Sequence, residues 1–236
     1  GMHPVLEAVK SGRKFDKVLL KQGLEGAQFR ELLELLKNNE IPFQFVPGER
    51  LNRAVRGSHQ GVLAYISQID YVDIEQLVNN ALGRSENPLL VILDGVSDVR
   101  NLGAIARSLE CAGGQGIIVP AKGGAAINAD AVKASAGAIE HMKVARVVNL
   151  NRTIEELKER NIWTYALDMD GVDYEKVNFK GGVALVVGSE GEGVSRLVVE
   201  HCDQKVSLPM AGHIDSLNAS VAAGVMMYRV LSSRKA

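Results

Sequence analysis

Three polar segments, each following a short apolar run, carry the side chains that could do chemistry in this sequence. They are residues 93–107 with Asn101 and Arg107, residues 188–193 with the order Gly-Ser-Glu-Gly-Glu-Gly, and residues 208–218 with Ser216 and Asn218. Apolar strands that lead into loops rich in Gly, Ser and Asn are typical of ligand sites at the carboxyl ends of a parallel sheet. The sequence therefore predicts a small-molecule site built largely from its C-terminal third.

Arg107 is the candidate for contact with an anion. It lies in a run of small and apolar residues suited to close helix packing, where a buried guanidinium would need an anionic partner. Phosphate is the natural partner because arginine can donate two parallel hydrogen bonds to it. Asp98 or Asn101 is expected to cap this helix, which is predicted to run to Ala112.

The glycine-rich segment 188–193 does not fit the common nucleotide-binding motifs. Its order is G-x-x-G-x-G rather than G-x-G-x-x-G, and no Lys-Ser or Lys-Thr pair follows it. Glu190 and Glu192 would also repel a pyrophosphate, whereas a carboxylate is compatible with a cationic or hydroxyl-bearing ligand. A nicotinamide-dependent oxidoreductase is therefore a distant alternative, and the bland alternative is a tight turn that needs glycine.

The composition indicates a globular protein, with 46% hydrophobic and 23% charged residues among 236. No run of 18 apolar residues and no leader pattern occurs, so we expect a cytoplasmic protein without a membrane span. Cys111 and Cys202 belong to no ligand motif and are predicted to be reduced core thiols. The five histidines have no metal-binding spacing, and no metal site is expected. Of these, only His213 lies in a candidate site loop.

Charge is distributed unevenly along the chain, although the net charge is only −1. Residues 1–68 contain ten Lys or Arg against seven Asp or Glu, whereas residues 69–236 contain seventeen against twenty-one. The first stretch therefore has a balance of +3 and the second a balance of −4. A mildly basic N-terminal part is compatible with an RNA partner, and ordinary surface variation is an equally good explanation at this point.

Hydrophobic periodicity divides the chain into two α/β domains. Residues 1–68 alternate short helices and strands, residues 69–87 suit an amphipathic connecting helix, and residues 88–236 contain apolar runs typical of buried parallel strands. The small residues between Leu217 and Leu231 indicate a closely packed final helix, in the core or at a subunit interface.

Taken together, the three polar segments resemble the motifs of the SpoU, or TrmH-like, family of RNA ribose 2′-O-methyltransferases. The matching segments are Asn101 to Arg107, Gly188 to Gly193, and Leu208-Pro-Met with Ser216 to Ser220. Each motif is weak alone, but three in the family's order over about 150 residues make a specific signal. Residues 1–68 are similar to the L30e-like substrate-binding domain that accompanies many members.

The resemblance implies a fold, a cofactor and partners. The fold is a small L30e-like N-terminal α/β domain plus a SPOUT α/β-knot catalytic domain, trefoil-knotted with a mostly parallel sheet. The cofactor is S-adenosylmethionine, held against Gly188, Leu208 and Leu217. The partners are RNA and a second copy of the chain, because relatives are homodimers whose site is completed near the interface.

The resemblance also implies roles for five residues. Arg107 would activate the ribose hydroxyl, Asn101 and Glu190 would position the substrate and Arg107, and Ser216 and Asn218 would shape the same pocket. Whether Arg107 acts as a base or as a phosphate clamp stays open, because a guanidinium normally remains protonated.

The substrate also stays open at the level of the sequence. The two-domain layout is most similar to that of family members that methylate a guanosine ribose in 23S ribosomal RNA, and transfer RNA, on which related catalytic domains act, is the alternative. A non-catalytic RNA-binding protein that uses the same scaffold is a different class of function. The intact set of Asn101, Arg107, Glu190 and Asn218 argues against it.

Overall fold

A computed structural model of the protein describes residues 1–55 and 57–234, which form two compact units. The first unit comprises Gly1–Asp70 together with the short segment Ala126–Asn128. The second comprises Tyr71–Ala125 and the described chain from Ala129 onward. Among the helices of these residues, none is long and apolar enough to cross a membrane.

The first unit alternates helices and strands around a three-stranded sheet. Its elements are α1 (Met2–Lys10), β1 (Phe15–Lys21), α2 (Ala27–Asn38), β2 (Phe43–Val46), α3 (Gly48–Ala54) and β3 (Val62–Ile66). The strand order is β2-β1-β3, with β2 parallel and β3 antiparallel to β1. Apolar side chains of α1 and α2 pack with residues of β1 in one core cluster. This arrangement agrees with the alternation predicted for the N-terminal part.

The second unit is built on a seven-stranded sheet. Its strands are β4 (Tyr71–Val72), β5 (Leu89–Asp94), β6 (Gly116–Pro120), β7 (Lys143–Val147), β8 (Ile162–Asp173), β9 (Gly182–Gly188) and β10 (Gln204–Ser207). Its helices are α4 (Ile74–Arg84), α5 (Val99–Cys111), α6 (Ala129–Ala134), α7 (Ala138–His141), α8 (Leu150–Glu159), α9 (Arg196–His201) and α10 (Ala219–Ser233), with a short 3₁₀ turn at Tyr174–Lys176.

The sheet of the second unit has the strand order β10-β8-β9-β5-β6-β7-β4, and every neighbouring pair is parallel. Because all seven strands run the same way, their carboxyl ends lie along one edge of the sheet. The loops that follow β5, β9 and β10 therefore begin at the same edge. This parallel sheet and the small N-terminal α/β unit confirm the predicted fold class.

Most of the segment predicted as a linker, residues 69–87, belongs to the second unit, which begins at Tyr71. Tyr71–Val72 pairs with β7, and Leu77, Val78 and Ala81 of α4 are buried in the core that covers one face of the sheet. The amphipathic pattern of this segment thus reflects a helix packed on its own sheet. The structural division follows Asp70 rather than a separate connecting helix.

Helix α10 packs against α5, as its small residues suggested. Ala219 and Ala223 are buried, and a side chain added at Gly224 would contact Ser108 of α5 at 3.6 Å. A Cβ added to Gly103 of α5 would lie 2.5 Å from the Cβ of Ala134. Small residues on both sides of α5 therefore set how closely the helices pack at the end of the sheet that carries the site.

Candidate active site

Three of the predicted site residues meet in one hydrogen-bond network. The Nδ2 of Asn101 donates to Oε1 of Glu190 at 3.0 Å, and the Nδ2 of Asn218 donates to Oδ1 of Asn101, also at 3.0 Å. Asn218 Nδ2 also donates to Oε1 of Glu190. The network joins the start of α5, the turn after β9 and the start of α10. The structure thus brings together one residue from each of the three sequence motifs.

Asn218 serves the network and the last helix at the same time. Its Oδ1 accepts hydrogen bonds from the main-chain N–H of Ser220 at 2.9 Å and of Val221 at 3.3 Å, which caps α10. The other half of the same amide donates to Asn101 and Glu190. Because one planar group satisfies both sets, the position of α10 and the orientation of Glu190 are linked.

The helix that carries Asn101 is capped by Asp98, one of the two predicted candidates. The carboxylate of Asp98 accepts from the main-chain N–H of Arg100 at 2.8 Å and from the Arg100 guanidinium at 3.1 Å. These contacts with Arg100 hold the pKa of Asp98 below its usual value. Because Asp98 provides the cap, the buried side chain of Asn101 is available for its hydrogen bond to Glu190.

The turn after β9 is held by close backbone contacts at Gly188. Ser189 and Gly193 exchange two main-chain hydrogen bonds, at 3.1 and 3.0 Å. A Cβ added to Gly188 would lie only 1.9 Å from the carbonyl carbon of Gly193. Glycine is therefore required at residue 188 because the returning backbone occupies the space of a side chain, and this contact fixes the turn that presents Glu190.

A second contact, which the sequence did not indicate, fixes the far end of the same turn. The carboxylate of Asp94, at the end of β5, accepts a hydrogen bond from the main-chain N–H of Ser195 at 2.7 Å. Asp94 and Gly188 are also direct neighbours in the sheet. An acidic residue at the end of an apolar strand was the available signal, but its partner lies 101 residues away.

The loop from Leu208 to Leu217 supplies the other two residues predicted to hold the cofactor. Leu208 is half-buried directly after β10, and Leu217 is 43% exposed directly before α10. Within the described residues, the main-chain groups of 208–217 make no hydrogen bonds to other main-chain groups. The loop thus offers apolar side chains together with free N–H and C=O groups, a combination suited to a flat heterocyclic ligand.

Ser216 lies in this loop but outside the hydrogen-bond network. Its Oγ is within 3.4 Å of the Asp215 carboxylate, and both residues are exposed. His213 and Ile214 are exposed as well. The structure therefore places Ser216 near the edge where the site forms, without a hydrogen bond to Asn101, Glu190 or Asn218 among the described residues.

Arg107 is exposed, so the prediction that its guanidinium is buried is wrong for the single chain. The buried positions of α5 include Leu102, Ile105 and Leu109, and Arg107 lies on the solvent side. Six residues at about 100° each turn its side chain well away from that of Asn101. Within residues 1–55 and 57–234, Arg107 forms no ion pair. The small residues around it pack α5 while Arg107 itself faces outward.

The predicted burial of the two cysteines is wrong for Cys111, which is exposed at the end of α5. Cys202 is partly buried, and desolvation raises the pKa of its thiol to about 12. A thiol that stays protonated at neutral pH is a poor nucleophile. Among the described residues, no group of three His, Cys, Asp or Glu side chains is placed to hold a metal ion.

Comparisons with known proteins identify the family of the chain. Residues 88–228 match the SpoU rRNA Methylase family, and residues 1–72 match the family described as RNA 2'-O ribose methyltransferase substrate binding. The chain is 42% identical over 235 residues to the putative TrmH family tRNA/rRNA methyltransferase YacO of Bacillus subtilis, covering 99% of this chain and 94% of that protein. A Staphylococcus haemolyticus relative of the same description is 40% identical, with the same coverage.

Solved structures show the same fold. The SpoU methyltransferase AviRb from Streptomyces viridochromogenes, in complex with AdoMet, matches with a TM-score of 0.64 and 25% identity over all of this chain and 89% of its own. The TrmH/SpoU tRNA modifying enzyme of A. aeolicus matches with a TM-score of 0.59 and 28% identity over 68% of this chain and 83% of its own.

The chain therefore belongs to the SpoU methyltransferase family of RNA 2′-O-ribose methyltransferases. It is an S-adenosylmethionine-dependent enzyme of the SpoU/TrmH type. The resemblance of its three motifs to this family, drawn from the sequence alone, is confirmed. The resident cofactor supplies an electrophilic methyl group on a sulfonium centre.

Proposed function

We propose that this enzyme methylates the ribose of a guanosine in 23S ribosomal RNA. The observation that carries the proposal is the joining of Asn101, Glu190 and Asn218 in one network beside a loop with free main-chain groups. Methyl transfer to a hydroxyl requires in-line alignment of the acceptor and the methyl group. A rigid network that positions polar groups without a metal suits that requirement.

Three residues are assigned to holding the cofactor. Gly188 would contact the ligand through its main-chain groups, while Leu208 and Leu217 would cover its apolar part. This assignment is supported by the free main-chain groups between Leu208 and Leu217 and by the exposure of Leu217. The carboxylate of Glu190 is electrostatically compatible with a sulfonium cation.

Arg107 is assigned to the reacting ribose. A guanidinium remains protonated in water, so we favour a role in which it binds the phosphate next to the acceptor and stabilises the developing alkoxide. Asn101 and Glu190 would hold the acceptor nucleotide, and Ser216 and Asn218 would shape the pocket around it. The exposure of Arg107 leaves its five N–H donors available for such contacts.

We also propose that the active form is a homodimer, in which a second chain covers the outer face of α10. Val221, Val225 and Tyr228 are 41–51% exposed and lie at helical spacing on that face. An apolar stripe of this kind is typical of a subunit interface. Because Arg107 faces away from the network of its own chain, the dimer would bring Arg107 of one copy to the network of the other.

Substitution at the outer face of α10 tests the dimer. Val225→Glu is expected to convert the protein to a monomer in sedimentation velocity and to abolish methyl transfer, because a charge would be buried in the interface. Leu197→Glu is the matched control, since Leu197 is 61% exposed on α9. A dimer that persists in V225E would contradict the proposed interface.

The two-unit layout supports ribosomal RNA as the substrate over transfer RNA. The A. aeolicus tRNA modifying enzyme matches only 68% of this chain, so it does not account for the whole two-unit layout. The basic balance of residues 1–68 supports an additional RNA-binding role for the first unit. We place the reaction in the cytoplasm, where ribosomal RNA is assembled into subunits.

Mapping of ribose methylation in cells with and without the gene tests the substrate. We expect one 23S ribosomal RNA guanosine to lose its 2′-O-methyl group in the deletion strain. The wild-type gene should restore it, and R107A should not. Arg107 is exposed, so R107A should keep its fold and its cofactor affinity, measured by calorimetry. Loss of methylation from transfer RNA instead would favour the alternative substrate, and restored methylation with R107A would remove Arg107 from the mechanism.

A further inference from the structure

Three phenylalanine rings form a row on one side of the first unit, and one of them faces solvent. The ring of Phe45 makes edge-to-face contacts with Phe29, at 6.4 Å between centroids, and with Phe43, at 6.0 Å. Phe29 is buried and Phe43 is half-buried, whereas Phe45 is 44% exposed. The two neighbours therefore hold an exposed aromatic ring in a fixed orientation, so that little side-chain entropy would be lost when a ligand stacks on it.

Phe45 also lies on a strand with an open edge. β2 pairs only with β1, which leaves its other side unpaired within the first unit's sheet. The carbonyl oxygen of Pro42 accepts a hydrogen bond from the N–H of Val18 in β1 at 2.8 Å, and that of Val46 accepts one from the N–H of Gln22, directly after β1, at 3.0 Å. Because alternate residues of a strand point to opposite sides, the N–H and C=O of Phe43 and Phe45 point to the open edge. Main-chain donors and acceptors thus lie directly beside the exposed ring.

Positive charge flanks this edge on α2. Two contacts show which way α2 faces: Glu31 forms an ion pair with Lys10 of α1 at 2.8 Å, and Phe29 contacts Phe45 on the opposite side of the helix. At about 100° per residue, Arg30 and Lys37 project from the solvent side of α2 within about 100° of Phe29. Both are exposed and form no ion pair with other described residues.

We propose that Phe45, the open edge of β2 and the cations Arg30 and Lys37 form a binding platform for an unpaired nucleotide of the RNA substrate. The base would stack on the Phe45 ring, its edge would bond to main-chain groups of β2, and the adjoining phosphates would contact the two cations. This inference rests on the proposed function and adds to it, because it makes the first unit a reader of looped rather than double-helical RNA.

The chemistry of the platform favours an unpaired base. In A-form RNA the bases are stacked on one another and their edges lie in a narrow major groove or a shallow minor groove, so a side chain such as Phe45 cannot reach a base face. A splayed base offers both a face for stacking and a free hydrogen-bonding edge. A peptide strand could also pair with β2, but it would leave the flanking cations without an anionic partner.

RNA-binding measurements on the full-length chain test the platform. The probes are the 23S stem-loop that contains the guanosine found by the methylation mapping and a fully paired duplex of the same length, compared by fluorescence anisotropy at one fixed salt concentration. F45A is expected to weaken stem-loop binding by roughly five- to 150-fold, the range measured for loss of base–aromatic stacking. Duplex binding should change less than about twofold. The matched control is I66A, because Ile66 is 38% exposed in the same unit.

A fluorescent variant gives a readout that a structural role of Phe45 would not change. Trp163 is the chain's single tryptophan, so F45W in a W163F background places one indole on the platform. Its fluorescence should be quenched by the stem-loop and not by the duplex. R30A and K37A should each lower the salt dependence of stem-loop binding by about one unit in the log–log slope.

Two results would overturn the platform: stem-loop binding by F45A within twofold of the wild type, or equal losses for the stem-loop and the duplex. The first result would favour a peptide partner for the open edge of β2. The second would indicate that Phe45 supports the structure of the first unit rather than contacting an unpaired base. Either result with intact methyl transfer by the wild-type enzyme leaves the proposed function standing. Absence of ribose methylation by the wild type would instead contradict the proposed function itself.

Discussion

The side-chain amide of Asn218 donates a hydrogen bond to the side-chain oxygen of Asn101 at 3.0 Å, across a separation of 117 residues. Asn218 caps the last helix and Asn101 lies in the first turns of α5. The contact therefore couples the placement of α10 to the pocket. Any substitution at residue 218 has two separable effects, one on helix stability and one on the network.

Substitution of Asn218 by serine should separate the two effects. N218S keeps a side-chain oxygen for the cap, so its free energy of unfolding should stay within about 0.5 kcal/mol of the wild type, whereas N218A should lose about 1 kcal/mol. Both variants lack the amide that donates to Asn101 and Glu190, so both should lose methyl transfer by about 100-fold. Urea unfolding and single-turnover methylation measure the two quantities. If the loss of activity in N218S and N218A followed their loss of stability, Asn218 would act only as a helix cap.

Replacement of Asn218 by aspartate adds a pH signature. N218D keeps the cap but places a second carboxylate beside Glu190, and the two repel each other once both are ionised. The stability of N218D relative to the wild type should therefore fall as the pH rises from about 4 to 7. The measurement is urea unfolding of both proteins across this pH range, with N218S as the uncharged control. A constant difference in stability would show that Glu190 is not near residue 218 in solution.

A methyl group at Gly188 should disrupt the turn that presents Glu190. The added Cβ would meet the backbone of Gly193 at 1.9 Å, and backbone cannot move aside as a flexible side chain can. We expect G188A to lower the free energy of unfolding by about 3 kcal/mol or more and to lose cofactor binding. Gly191 is the matched control in the same turn, because a Cβ there meets no atom within 4 Å. Similar stability of G188A and G191A would contradict the close approach.

Mixed dimers should reveal which chain supplies Arg107. If the site combines Arg107 of one copy with the network of the other, a heterodimer of R107A and N218A chains contains one intact site and one doubly defective site. Heterodimers isolated with two different tags should then have about half of the wild-type activity, although each homodimer is inactive. Inactive heterodimers would place Arg107 and Asn218 in the same chain's site.

Burial of Cys202 predicts a specific pH dependence. Its thiol has a pKa of about 12 in the folded protein, against an ordinary value of 9.0. The folded chain therefore keeps this proton at pH values where the unfolded chain loses it, so the contribution of Cys202 to stability is complete below about pH 9 and falls between about pH 9 and pH 12. The measurement is the stability difference between the wild type and C202A as the pH rises.

Alkylation supplies an independent check on the same thiol. In a C111S background Cys202 is the remaining cysteine, and iodoacetamide at pH 8.5 should modify it only as fast as the protein unfolds. The control is the same protein in urea, in which modification should be rapid. Fast modification of folded C111S would show that Cys202 is accessible.

Local patterns in the sequence predicted much of this fold. The apolar run from Leu89 to Leu93 and that from Val183 to Val187 became neighbouring buried strands, because continuous apolar strands are stable only with both faces covered. The two-residue strand Tyr71–Val72 was not predicted, since two residues carry no periodicity. The helix at residues 74–84 was predicted to be a connector, because an amphipathic pattern does not show what the apolar face of the helix contacts.

The site was likewise predicted only in part. Asn101, Glu190 and Asn218 were identified through motif resemblance, and the structure adds their mutual contacts, which depend on the order of strands rather than on any local pattern. The exposure of Arg107 was missed because a run of small residues predicts close packing without specifying which side of the helix is packed. The hydrogen bond between Asp94 and Ser195 was not predicted, because an acidic residue at the end of a strand does not indicate a partner 101 residues away.

Because the pocket depends on Asn218, it can form only after that part of the chain has been synthesised. A growing chain can build the strands β5 to β9 and the turn at Glu190 before residue 218 is made, and α10 with its cap follows them. Because α10 is also the helix that packs on α5, the nascent protein lacks both the amide and the helix until residues 218–233 have been made. The pocket therefore stays incomplete during translation up to that point, and we expect a chain truncated before this helix to be inactive.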